Sequence, residues 1–143
     1  MNLALDSSAI VKLLVDEEAS DVAHRLWEEA DGRFASTLAY PETRAALAAA
    51  RRSDRVTARA ERTAISALDD RWESLVVVAV SEPLARSAGN LARKFALRGE
   101  DAVHLVTAIE ARADETLLAT WDRDLAKAGL RAGLAVAPAV KQR

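Results

Sequence analysis

The alternation of short apolar runs with helix-patterned stretches constrains this chain more than any other feature. Leu3-Ala4-Leu5 is a brief apolar run that stops at Asp6. Helical spacing begins at once, with Ser7 or Ser8 placed to cap and Ile10, Leu13 and Leu14 on one face. A second helix is expected from Glu18 to Glu29, where Val22 and Leu26 stand one turn apart and Asp31-Gly32 ends it. Arg33 to Thr37 reads as a strand. Pro41 opens a helix with Glu42 in its first turn, and the alanines from Ala45 to Ala50 continue it. Ser53-Asp54 is expected to break that helix and cap the next, which runs to about Trp72 with Ile65 and Leu68 on the same side. Leu75 to Val80 is unbroken in its apolar character, as in a strand buried on both faces. Ser81-Glu82-Pro83 starts a helix that ends near Gly99, and Asp101 opens the next through Val103, Leu105, Val106 and Ile109. Thr116 to Thr120 is a fourth strand. Asp122 starts a short helix ending at Gly129, and Leu134 to Ala137 is a last strand.

Strands alternating with helices in this way are satisfied by a parallel sheet covered on both faces. The expected fold is therefore α/β, a three-layer α/β/α sandwich with a parallel central sheet of four to five strands. A chain of 143 residues, half of them hydrophobic, suffices for a single domain over 1–143 with its own core. No internal repeat or long linker divides it. The N-terminus lacks a basic start and Asp6 interrupts its apolar stretch, so no targeting segment is read there. The Leu75–Val80 run is far short of the roughly 20 residues that span a bilayer. A cytoplasmic protein without a membrane partner is the expectation.

Composition removes whole classes of chemistry. There is no cysteine, which excludes disulfides, cysteine zinc sites, iron–sulfur clusters and thiol nucleophiles. The two histidines, His24 and His104, cannot form the paired-histidine zinc helix, and the five glycines give neither a dinucleotide-binding fingerprint nor a phosphate loop. Carboxylates and guanidinium groups remain as the abundant chemical side chains.

Four acids share one address in this scheme. Asp6 ends the first strand, and Asp122 follows the fourth. Glu42 lies at a helix start after the second strand, and Asp101 at the helix start leading toward the fourth. Ligands of open parallel sheets bind in the crevice beyond the carboxyl ends of the strands, so the topology gathers all four there, with Asp124 as a fifth candidate. Each alone also reads as an acid stabilising a helix start, although Asp6, straight after buried apolar residues, fits that reading least well. Carboxylates held close together repel, and a divalent cation relieves the repulsion. An all-oxygen site suits Mg2+ or Mn2+, which polarise phosphoryl oxygens and activate bound water. The implied reaction is metal-assisted hydrolysis of a phosphodiester.

The basic residues agree. Between Arg44 and Arg62 lie six arginines against Asp54 and Glu61, and between Arg86 and Arg98 lie four basic residues and no acid. Such stretches are either solvated helix faces or surfaces that neutralise nucleic-acid phosphates. The overall balance of 20 basic and 22 acidic residues conceals them. His104, one turn into the Asp101 helix, reads as a hydrogen-bonding support rather than a ligand. Ser8 and Thr120 stand beside the acids, either to orient a carboxylate or to cap a helix.

These residues resemble the PIN-domain ribonucleases, in particular the VapC-type toxins of bacterial toxin–antitoxin pairs. The likeness runs through Leu-Ala-Leu-Asp-Ser-Ser-Ala-Ile-Val-Lys at the N-terminus, Tyr-Pro-Glu-Thr at 40–43, Glu-Asp-Ala-Val-His-Leu-Val-Thr-Ala at 100–108 and Thr-Trp-Asp-Arg-Asp-Leu at 120–125. The family's acidic quartet falls on Asp6, Glu42, Asp101 and Asp122, with Asp124 matching a variable extra acid and the Tyr40-Pro41 segment the loosest match. The resemblance implies an Mg2+- or Mn2+-dependent endoribonuclease acting on RNA, a homodimer, and inhibition by a cognate VapB-like antitoxin. It implies Asp6 and Asp101 as the most direct metal ligands, Asp122 completing the site and Glu42 ligating or positioning the attacking water. The competing readings are a PIN-fold module that binds RNA or protein without significant catalysis, and a phosphatase or phosphoacceptor domain. The latter needs a second acid close after Asp6, where Ser7-Ser8 stands.

Overall fold

In the computed structural model, which describes residues 1–111 and 115–139, the alternation becomes five strands and seven helices among the described residues. The strands are β1 (Asn2–Leu5), β2 (Gly32–Ser36), β3 (Val76–Val78), β4 (Thr116–Ala119) and β5 (Ala135–Ala137). The helices are α1 (Ser7–Leu14), α2 (Ser20–Glu29), α3 (Ala39–Arg52), α4 (Ala58–Glu73), α5 (Glu82–Phe95), α6 (Gly99–Glu110) and α7 (Arg123–Arg131). The sheet order is β3-β2-β1-β4-β5 and every neighbouring pair is parallel. The expected α/β sandwich with a parallel sheet is thus the fold.

Period-two alternation of the central strands separates two cores. Leu3 and Leu5 of β1 pack with Ile10 and Leu13 of α1, Trp27 of α2 and Leu68 of α4. Ala4, between them, faces the opposite layer with Leu118, Leu105 of α6 and Leu125 of α7. α5 closes that second layer by packing Leu84 and Ala88 against Ala102, Val103 and Val106 of α6. Gly129 lets α7 approach the sheet closely: a Cβ there would lie 2.9 Å from Leu118 Cδ2 and 3.0 Å from Val136 Cγ2.

Several expectations are corrected in detail. The Leu75–Val80 run forms only the three-residue β3, and β3 is the edge of the sheet, with Val76 54% and Val77 38% exposed. An apolar run shows that a strand will form but not whether it has one neighbour or two. Val77→Thr, which keeps β-branching, is therefore expected to alter unfolding free energy by less than about 0.5 kcal/mol in a denaturant titration. Asp6, not Ser7 or Ser8, caps α1, its side chain accepting from Ala9 N at 2.9 Å. Thr57, rather than Ser53 or Asp54, caps α4, because Asp54 takes a left-handed turn (φ 57°) that carries the chain past it. α3 begins at Ala39 and α6 at Gly99, each two residues before the expected start, while α2 begins at Ser20, two residues after Glu18.

Candidate metal centre

Because all strands run the same way, their carboxyl ends share one edge. The chain builds β2 and β3 on one side of β1 and then crosses to place β4 on the other, so the topology reverses between β1 and β4. Their register aligns Leu5 with Ala119, which sets Asp6 beside Thr120 just beyond the reversal. That is where a parallel sheet opens a crevice.

Asp6 is 3% exposed and fully engaged. Ser8 Oγ donates to its Oδ1 at 2.6 Å, and Thr120 Oγ1 donates to its Oδ2 at 2.6 Å. Both hydroxyls are themselves fixed, Ser8 Oγ accepting from Trp121 N at 2.8 Å and Thr120 Oγ1 from Asp122 N at 3.0 Å. Burial pushes the Asp6 carboxyl above the usual aspartate range, against the pull of those hydrogen bonds. Ser8 and Thr120 thus orient the carboxylate, one of the two roles open to them from sequence.

Asp101, 6% exposed in the first turn of α6, is also raised by burial, with the neighbouring Asp122 charge adding to the rise and an Arg98 hydrogen bond opposing it. Asp122 caps α7 by accepting from Leu125 N at 2.9 Å. Arg98 spans these two acids, its Nε 3.1 Å from Asp101 Oδ2 and its Nη2 3.8 Å from Asp122 Oδ2. From the sequence alone, Arg98 reads only as part of a basic stretch. The signal that marks it is an arginine three residues before an acid, at a helix start where a small polar residue is the norm.

Glu42, in the first turn of α3, joins His104 of α6, with Oε1 2.6 Å from His104 Nε2. Burial opposes the charged imidazole, but the Glu42 hydrogen bond and charge, with Asp6 and Asp101 nearby, outweigh it and hold its pKa above the ordinary histidine value. His104 is therefore the buried support expected of it. Asp124, in the first turn of α7, is exposed, and no ion pair or hydrogen bond ties it to the other acids among the described residues.

The structure thus links Asp6 to Asp122 through Thr120, Asp122 to Asp101 through Arg98, and Glu42 to His104, which senses Asp6 and Asp101. Among the described residues, no three His, Asp or Glu side chains are gathered tightly enough to cage an ion as they stand. The chemistry of the donor set nevertheless fits a hard cation. The donors are carboxylates alone, and the two most buried, Asp6 and Asp101, carry charges that burial penalises and a cation would compensate.

The PIN domain family model matches residues 3–130. The chain belongs to the PIN-domain family. Among its PIN-domain relatives, the ribonuclease VapC49 of Mycobacterium tuberculosis is 43% identical over 134 residues, covering 94% of this chain and 93% of the relative. Among solved PIN-like structures, FitAcB of Neisseria gonorrhoeae superposes with a TM-score of 0.68 at 19% identity, covering 95% of this chain and 96% of that one. VapC20 of Mycobacterium tuberculosis, a toxin that cleaves the sarcin-ricin loop, gives 0.67 at 19% identity over 90% and 95% of the two chains. These structural likenesses establish the fold alone. No helix among the described residues is long and apolar enough to cross a membrane.

Proposed function

We propose that this PIN domain is an Mg2+- or Mn2+-dependent endoribonuclease and the toxin of a toxin–antitoxin pair. The observation that carries the reading is 43% identity, across nearly the whole chain, to a relative named as a ribonuclease. Asp6 and Asp101 would hold the metal most directly, Asp122 would complete the site and Glu42 would hold it or position the attacking water; Asp124 lies near enough in sequence to join.

A divalent cation held there would polarise the phosphoryl oxygen and lower the pKa of a bound water. The chain's residues do the rest. Ser8 and Thr120 fix the Asp6 carboxylate before substrate arrives, so little reorganisation is left for the reaction. His104 Nε2 lies 2.6 Å from one Glu42 oxygen and restrains that side chain. The exposed arginines at 44, 52, 55, 59 and 62 of the α3–α4 hairpin, and at 86 and 93 of α5, offer phosphate contacts that fix RNA without reading its sequence. A VapB-like antitoxin, a homodimeric assembly and a cytoplasmic location complete the proposal.

The test is cleavage of a structured RNA by purified protein. EDTA is expected to abolish it and excess Mn2+ to restore it. Expression should arrest growth, and a small protein encoded beside the toxin should relieve the arrest. Cleavage that persists in EDTA overturns the metal-dependent reading. RNA binding without cleavage under any metal favours the alternative of a PIN-fold binding module.

A further inference from the structure

Arg98 stands where a helix does not favour it. It is the extended residue at the amino end of α6, and its side chain makes no capping hydrogen bond. Ser, Thr, Asp and Asn are preferred there, and the partial positive charge of a helix amino end disfavours a cation. Helix formation therefore does not account for this arginine.

Its contacts do. The guanidinium Nε lies 3.1 Å from Asp101 Oδ2 and 3.7 Å from Glu100 Oε1, while Nη2 lies 3.8 Å from Asp122 Oδ2. One planar cation thus spans two carboxylates from different elements, the start of α6 and the start of α7. The arm is also free to leave. Its side chain is 69% exposed. With most of its side chain in solvent, the guanidinium can swing away with little loss of packing.

We propose that Arg98 is a resident counter-cation of the Asp101–Asp122 pair, one that competes with a divalent cation for the same carboxylate oxygens. It is a positioning residue that acts through the two acids and not on the substrate. The inference rests on the proposed reading of Asp101 and Asp122 as metal ligands. A metal held by Asp101 and Asp122 would meet the positive charge that Arg98 already places beside them, so its binding would include the displacement of Arg98. Removing that charge strengthens metal binding by roughly the worth of an exposed ion pair, about threefold to fivefold.

The experiment titrates Mn2+ into the parent, Arg98→Gln and Arg98→Lys by calorimetry, without RNA, and melts all three in EDTA and in saturating Mn2+. Arg98→Gln is expected to bind Mn2+ about threefold to fivefold more tightly, with Arg98→Lys nearer the parent. In EDTA the Gln variant melts below the parent, and saturating Mn2+ closes the gap, because in both proteins the metal then neutralises the acids. Unchanged or weaker Mn2+ affinity in Arg98→Gln overturns the proposal, as does a melting gap that Mn2+ leaves intact. If the parent itself binds no Mn2+, the metal-centre reading fails and takes this proposal with it. Parent binding with an unmoved Gln variant removes the role of Arg98 alone.

Discussion

Asp6→Asn is expected to reduce RNA cleavage about a thousandfold or more while the protein melts at or above the parent's temperature in EDTA. The activity loss follows from the site assignment. A metal's electrostatic contribution at a phosphoryl group is several kcal/mol, and each 1.36 kcal/mol is tenfold in rate. The stability expectation follows from the hydrogen bonds. An asparagine Oδ1 still accepts from Ala9 N and from Ser8 Oγ, and its amide can donate to Thr120 Oγ1. What disappears is a buried negative charge, which is costly to keep away from water. Asp6→Ala differs, because it strands the Ala9 N–H and both hydroxyls and is expected to cost about 1–2 kcal/mol.

The same logic fixes a pH dependence. Burial raises the Asp6 and Asp101 carboxyls above their unfolded values. The folded protein then holds these protons more tightly than the unfolded chain, so their contribution to stability is present at low pH and is lost as pH rises through the raised values. Melting temperatures followed across acidic to neutral pH in EDTA should show a smaller loss on that rise for Asp6→Asn than for the parent. Cleavage by Asp6→Asn within tenfold of the parent's would sink the assignment of Asp6.

Most of what positions this site is visible in the order of residues, because topology does the positioning. Once Leu3–Leu5 and Thr116–Ala119 are strands of one parallel sheet, Asp6 and Asp122 must lie at the same edge. The sequence also carries the helix starts that hold Glu42 and Asp101. Neighbour relations are less legible. Nothing in Leu75–Val80 says that its strand is an outer one, since Val, Leu and Ala suit an exposed edge and a buried centre alike. The caps shifted for a related reason: Ser8 is a good capping residue by type, yet its hydroxyl is more useful between Asp6 and the Trp121 N–H, a residue 113 positions away in sequence. Arg98 shows the same limit. Its value lies in bridging Asp101 and Asp122, a pairing that exists only after α6 and α7 are packed.

Leu105→Ala is expected to produce the converse of Asp6→Asn: a large loss of stability with cleavage largely kept. Leu105 is wholly buried on α6, immediately after His104 and one turn beyond Asp101. It packs between the sheet and α7 against Ala4, Leu118 and Leu125. Alanine is the better helix former, so backbone propensity does not oppose the change. The whole cost is lost burial plus the cavity left behind, about 2–5 kcal/mol. For a chain of this size that lowers the melting temperature by on the order of 10 °C. A domain's entire stability is about 5–15 kcal/mol, so the variant stays mostly folded at 25 °C. Cleavage there is expected within about tenfold of the parent, because the acids and their hydrogen-bond partners are untouched and α6 remains pinned to α5 through Ala102, Val103 and Val106. A denaturant titration giving less than about 1 kcal/mol of destabilisation would contradict the packing of α6 against β1 and β4. Full stability loss together with a thousandfold loss of cleavage would mean that the Asp101 position depends on Leu105 more than on its own helix turn.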